Sequence, residues 1–244
     1  MENKTVDILD IPFYRTTQER FIDELLRDAE NEYRRFVVTA NPEIVMSAKN
    51  DIEFKKVVQQ ADYITADGIG IIMAAEKLGL PLSERVTGFD TMIGILKQAA
   101  DKKMKIFFLG AKPEVSKALP VMLSKNYPEL EVVGCRHGYF TEEENEAIVA
   151  EIQAGEPDFI FVALGSPTQE KWIESHLSAF SKGIFMGVGG SFDILSGTVK
   201  RAPKIMIKLR LEWLYRIATN PSRWRRFLAL PRFFACCESR KKAA

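Results

Sequence analysis

Short apolar runs recur along the first 199 residues, at 6–8, 36–39, 63–65, 105–109, 131–135, 159–164 and 184–188. Several are β-branched or rich in Phe, and few alternate in polarity. Runs that are apolar throughout suit strands of a parallel sheet covered on both faces. Helical spacing between them predicts helices over about 17–31, from Pro42 onward, after Gly68, over 87–100 and over 113–125. Thr141-Glu142-Glu143-Glu144 reads as a capping box before a helix over 147–152, because the hydroxyl and the carboxylate satisfy opposing free N–H groups. Strand–helix alternation predicts an α/β fold with right-handed crossovers. The expected architecture is a Rossmann-like, mostly parallel sheet with flanking helices, a smaller N-terminal α/β lobe and a helical C-terminal appendage.

Beyond residue 199 the pattern changes. Ile205, Leu209, Trp213 and Ile217 recur every four residues, predicting an amphipathic helix over 204–219 that Asn220-Pro221-Ser222 ends. Arg223-Trp224-Arg225-Arg226-Phe227-Leu228 continues the theme, and Phe233-Phe234 follow. The chain's net charge is only +1, yet from Lys200 onward thirteen Lys and Arg stand against Glu212 and Glu238, leaving residues 1–199 at −10. A helix packed on the core with its charges in water would give the same stripe. Basic residues interleaved with Trp and Phe fit a helix lying on an anionic membrane surface better, each adding about 1 kcal/mol there. Arg216, Arg223 and Arg226 are the candidate membrane residues. Nucleic acid is the competing anion, disfavoured because the tail carries no RNA-binding or helix-turn-helix signature. Exposed Leu and Trp on the tail would also suit a contact between two copies, so a homo-oligomer stays open.

Composition narrows the setting. The polar start does not resemble a signal peptide, and no uncharged apolar run reaches the ~18 residues of a membrane span. Cys135, Cys236 and Cys237 make no disulfide framework, which favours a reducing, cytoplasmic compartment. The expected location is therefore peripheral, on the inner face of the cell membrane.

Three of the expected strands end in glycine turns, around Gly110, around Gly165 and across Gly187-Val188-Gly189-Gly190. Strand carboxyl ends line the ligand crevice of open α/β sheets, and glycine there lets a phosphate approach backbone N–H groups. None matches G-x-G-x-x-G or a P-loop, so nicotinamide and P-loop sites are disfavoured. Asn41 and Asp67 each stand between a strand and a helix, where either could cap the helix or face a ligand. As a ligand-facing carboxylate, Asp67 would serve as a general base. Thr39 shares the edge with Asn41. Arg85 would clamp a phosphate if it faced one, Gln169 could bond a sugar or phosphate, and Trp172 reads as core. Asp193 suits ribose hydroxyls or a base edge, Lys200 and Arg201 a pyrophosphate, and Tyr139 joins the nucleotide-sugar group. Cys135, His137 and His176 make too few ligands for a metal, and Asp-x-Asp and G-x-S-x-G are absent.

These pieces together resemble the WecG/TagA/CpsF family of bacterial glycosyltransferases. The resemblance rests on seven motifs in order, around Thr39-Ala40-Asn41-Pro42, Ala66-Asp67-Gly68, Arg85 to Asp90, Gly165 to Trp172, Gly187 to Asp193, Arg201-Ala202-Pro203 and Glu212 to Arg216. It is closest to the TagA branch. It implies inverting, metal-independent and cofactor-free transfer from UDP-N-acetylmannosamine to the 4-hydroxyl of GlcNAc on undecaprenyl diphosphate, in wall teichoic acid linkage-unit synthesis. It makes Asp67 the base, with Thr39, Asn41, Arg85 and Gln169 as further polar positions of the catalytic pocket. Residues 1–199 become a core of two interlocked lobes, acceptor side about 1–100 and nucleotide side about 101–199, with 200–244 as the appendage. A sister hexosyl or N-acetylmannosaminuronic acid transferase, a nucleotide-binding membrane adaptor without chemistry, and an oxidoreductase are the alternatives. Deleting the chain from about Lys200 is expected to abolish vesicle co-sedimentation and activity together; normal turnover by the truncated protein would refute a catalytic part for the tail.

Overall fold

The computed structural model describes residues 4–203, 205–206, 214–215 and 229–243. Most of the helix expected over 204–219, and Arg216, Arg223 and Arg226, lie outside the described residues.

Six strands form one sheet: β3 (Arg34–Ala40), β4 (Tyr63–Ala66), β5 (Lys105–Gly110), β6 (Glu131–Arg136), β7 (Phe159–Ala163) and β8 (Gly183–Gly187). Their order is β4-β3-β8-β7-β5-β6 and every pairing is parallel. A separate antiparallel pair, β1 (Thr5–Ile8) and β2 (Ile11–Tyr14), precedes it. The short run of β2 was not expected from the pattern, since Pro12 interrupts it. Pro12 is tolerated because this ribbon has only two strands, both edges.

The continuous apolar runs have a direct cause. Successive strand residues point to opposite faces. Phe36, Val38, Phe107, Leu109, Ile160, Val162 and Phe185 enter one core layer. Val37, Ile106, Phe108, Phe159, Phe161, Ile184 and Met186 enter the other. Both faces are therefore covered by helices, as the sequence pattern demands.

The helices fall where their caps place them. They are α1 (Gln18–Glu30), α2 (Pro42–Asn50), α3 (Ile52–Gln59), α4 (Ile69–Lys77), α5 (Gly88–Asp101), α6 (Pro113–Asn126), α7 (Asn145–Gly155), α8 (Thr168–Leu177), α9 (Ser191–Leu195) and α10 (Ala229–Ala243). Asn41 caps α2 by accepting from the Ile44 N–H at 3.0 Å, with Pro42 beside it at the start of the helix. Asp51 ends α2 and caps α3, so the helix expected from Pro42 is two helices. Thr87 caps α5. Glu144 accepts from the Thr141 N–H at 2.8 Å, as the capping box requires, in a short 3-10 turn that leads into α7.

The last helix is not a free aromatic arm. Phe233 is completely buried and Cys237 nearly so, both in the core layer that holds α2 and α4. Leu230 lies so close to Gly70 that a Cβ there would sit 2.7 Å from its Cδ1 and equally close to Pro42. Arg240 pairs with Asp10 at 2.7 Å, and Lys77 with Glu238 at 3.4 Å. Phe233 thus packs in the core, where its phenyl ring is removed from water. Deletion from Lys200 would also open this seat, so charge reversals test the membrane role more cleanly.

At the opposite edge from the strand carboxyl ends, Tyr14 donates to Glu24 at 2.8 and 2.9 Å, and Tyr63 to Asp28 at 2.9 Å. Arg35 pairs with Asp28 at 2.8 Å and lies over the Tyr33 ring. Burial, then the bond to Glu24 and its charge, push the Tyr14 phenol up to about 12. Burial and Asp28 push Tyr63 up as well. A phenol whose folded value is raised contributes stability that is complete below its ordinary value of 10.0 and is lost as pH rises through the folded value. Melting temperature should therefore fall between pH 10 and about 12, and less steeply in Tyr14→Phe; identical pH slopes in the two proteins would contradict this account.

Candidate functional site

Because all six strands are parallel, their carboxyl ends meet at one edge. Residues at or just beyond those ends line a crevice of about 410 Å³. Thr39 and Asn41 come from β3, Asp67 from β4, Lys112 from the turn after β5, and Tyr139 from beyond β6. Gly165 and Ser166 follow β7, Gly189 and Gly190 follow β8, and Asp193 stands on α9. The crevice straddles the seam where β3 pairs with β8, and so joins the first hundred residues to the rest.

Asp67 does not cap α4. That helix has Gly68 at its N-cap position and no side-chain cap bond. Instead, the Gly88 N–H points to Asp67 Oδ2 at 3.4 Å, and the Asp67 N–H donates to the Ala40 carbonyl at 2.9 Å. Thr39 donates to the Gly187 carbonyl at 3.2 Å, tying β3 to the end of β8. Capping of α2 engages Asn41 Oδ1, so its amide donors are what remain for a ligand.

The glycine turns have the geometry their position needs. Gly110 has φ +127°, and a Cβ there would lie 2.5 Å from the Ala163 backbone, so only glycine lets the β5 and β7 ends approach. Gly189 has φ +52°. Its N–H donates to Gln169 Oε1 at 3.0 Å. Gln169 is 4% exposed, and its Nε2 donates to Glu170 Oε1 at 2.8 Å. Both ends of this amide are therefore engaged within the protein, although the residue lines the crevice. Trp172 is core as expected, with Nε1 donating to the buried Asn145 Oδ1 at 2.8 Å. Tyr139, by contrast, is 65% exposed where it lines the crevice.

Arg85, Lys200 and Arg201 are not among the crevice-lining residues. Arg85 is half-buried between α4 and α5, and Lys200 is exposed. Arg201 is held elsewhere: its guanidinium stacks on Phe89 at 4.5 Å and contacts both Asp90 oxygens at 2.8 and 2.9 Å. Asp90 in turn accepts from the Thr87 hydroxyl at 2.8 Å, on the same turn that supplies the Gly88 N–H to Asp67. Arg201 thus meets Asp90 through Nη2, while its Nε is buried without a hydrogen-bond partner among the described residues. Glu43, Lys112 and Ser166 line the crevice without having been singled out in the chain. The signal for Lys112 was its place between the Gly110 turn and Pro113 at the start of α6. Among the described residues no cluster of three or more His, Cys, Asp or Glu could hold a metal ion, and no helix is long and apolar enough to cross a membrane.

Fold and crevice together define a doubly wound α/β protein with a polar ligand site at its strand carboxyl ends. The chain belongs to the Glycosyl transferase WecG/TagA/CpsF family, whose model matches residues 6–243. It is 39% identical over 209 residues to a Bacillus spizizenii protein, covering 86% of this chain and 80% of that one. It is 37% identical over 231 residues to a Bacillus subtilis protein, covering 94% and 90%. It is 39% identical over 230 residues to a Staphylococcus aureus protein, covering 93% and 90%. All three are named N-acetylglucosaminyldiphosphoundecaprenol N-acetyl-beta-D-mannosaminyltransferase.

If Arg201 acts through Asp90, Arg201→Ala and Asp90→Asn will each lower turnover several-fold and leave UDP affinity unchanged, and the double variant will be no worse than either. Weaker UDP binding by Arg201→Ala in calorimetry would put the guanidinium on the diphosphate after all.

Proposed function

We propose that this chain transfers N-acetylmannosamine from UDP-N-acetylmannosamine to the 4-hydroxyl of GlcNAc on undecaprenyl diphosphate, with inversion and without a divalent metal. The names of its relatives support the sugar and the lipid-linked acceptor. The observation that carries the mechanism is Asp67: a carboxylate at a strand end, not engaged as a helix cap, facing the crevice that also holds the glycine turns. In this reading Asp67 accepts the proton of the acceptor hydroxyl as its oxygen attacks the anomeric carbon. Thr39 and Asn41 orient the sugars, and Gln169 holds the turn that receives the donor.

UDP leaves with developing negative charge. Backbone N–H groups of the glycine turns, the N-termini of α6 and α8, and Lys112 lie on the side where it departs. The crevice itself carries Glu43, Asp67 and Asp193 against Lys112. Further cations are needed, and the basic tail, with Arg216, Arg223 and Arg226, is their source. The tail also draws the protein to the anionic inner face of the membrane, where the acceptor is confined. Tyr139 stacks on the base and Asp193 holds ribose or a base edge.

Incubation with UDP-N-acetylmannosamine and a soluble GlcNAc-diphospholipid analogue should release UDP, undiminished by EDTA. Asp67→Asn should lower turnover by a factor of roughly 10² or more, on the scale of general-base catalysis, while UDP binding persists. Equal turnover in that variant would remove Asp67 as base, and activity lost with EDTA and restored by magnesium or manganese would sink the metal-free mechanism.

A further inference from the structure

Behind the crevice lies a carboxyl group that the mechanism above leaves without a task. Glu170 is 1% exposed, in the first turn of α8, and follows the crevice residue Gln169. Its Oε1 receives the Gln169 amide, and among the described residues its Oε2 has no hydrogen-bond partner. It makes none of the ion pairs found among the described residues. An unpaired buried charge is strongly unfavourable, so such a group persists in a stable core only where it holds something else in place or stays protonated.

We propose that Glu170 is a positioning residue for the donor half of the site: it fixes the Gln169 amide and, through it, the Gly189 N–H and the turn after β8. The relay is continuous, running from Glu170 Oε1 to Gln169 Nε2 at 2.8 Å and from Gln169 Oε1 to Gly189 N at 3.0 Å. Packing leaves the amide little freedom, since a Cβ on Gly187 would lie 2.7 Å from Gln169 Nε2. The two bonds also fix which end of the amide faces the turn. The Gly189 N–H can only donate, so it takes the carbonyl end and leaves the NH2 end to Glu170 Oε1. A flipped amide would set two donors against each other at Gly189.

Burial pushes the Glu170 carboxyl above its ordinary range, while the bond from Gln169 and the nearby Ser166 hydroxyl act against it and the charge of Glu43 adds a smaller push upward. The acid form still accepts through its carbonyl oxygen, although more weakly than the anion. It also keeps a further negative charge away from a crevice that already carries Glu43, Asp67 and Asp193.

The inference rests on the reading of the crevice as the donor site, and UDP binding by the parent protein tests that reading separately. If the parent binds no UDP in calorimetry, the donor site is elsewhere. If it binds, Glu170→Gln, which keeps an uncharged acceptor of the same length, should bind UDP within about twofold of the parent. Glu170→Met, which removes the acceptor, should bind about tenfold or more weakly, equivalent to the loss of about one hydrogen bond to a fixed turn. In steady-state assays Glu170→Met should raise KM for the donor while KM for the acceptor stays put. Should Glu170→Met give no cooperative melt, Glu170→Asp replaces it, with the same chemistry one methylene short of the amide and the same expected loss. Parent-like UDP affinity in the shortened or apolar variant overturns the proposal. So does a Glu170→Gln protein as weak as Glu170→Met, which would mean that the negative charge is what the site needs.

Discussion

One constraint organises this molecule: all six strands of its sheet run in the same direction. A parallel sheet must return each strand by a crossover, so every carboxyl end, and the helix start that follows it, falls at one edge. Residues far apart in sequence, from Thr39 to Asp193, thereby reach a single crevice. The strand starts gather at the opposite edge. It holds the Tyr14–Glu24 and Tyr63–Asp28 bonds, which secure the N-terminal ribbon and α1 to the first strands of the sheet.

The electrostatics of the crevice follow from that geometry and from the segregation of charge along the chain. The core contributes mostly carboxylates and oriented backbone N–H groups, and the cations are concentrated after residue 199. A lipid-linked diphosphate acceptor and a nucleotide leaving group are both anionic. The tail is rooted at two places in the first hundred residues. Arg201, at its start, grips Asp90 beside the Asp67 turn, and α10, near its end, packs against the first turns of α2 and α4. Those two helices begin directly after Asn41 and Asp67.

Much of this was legible in the chain. Seven of the eight strands fall where apolar runs predicted them, and the exception, β2, is the one broken by a proline. Asn41 read correctly as the cap of α2, because capping is a local matter of one side chain and the next N–H groups. At Asp67 the same local logic left two readings, and geometry removed one of them: the cap position falls to Gly68, and Asp67 lines the crevice.

The sequence by itself determined the α/β class, the approximate position of almost every element and the set of polar residues at strand ends. These depend on periodicity and on contacts a few residues long. Tertiary structure alone decided that β8 lies between β3 and β7, and that Arg201 meets Asp90. It also decided that Gln169 and Glu170 turn inward, and that Phe233 belongs to the core. Each of these is a choice among partners distant in sequence, made by burial and by the pairing of polar groups. A local pattern does not record which partner a side chain will meet.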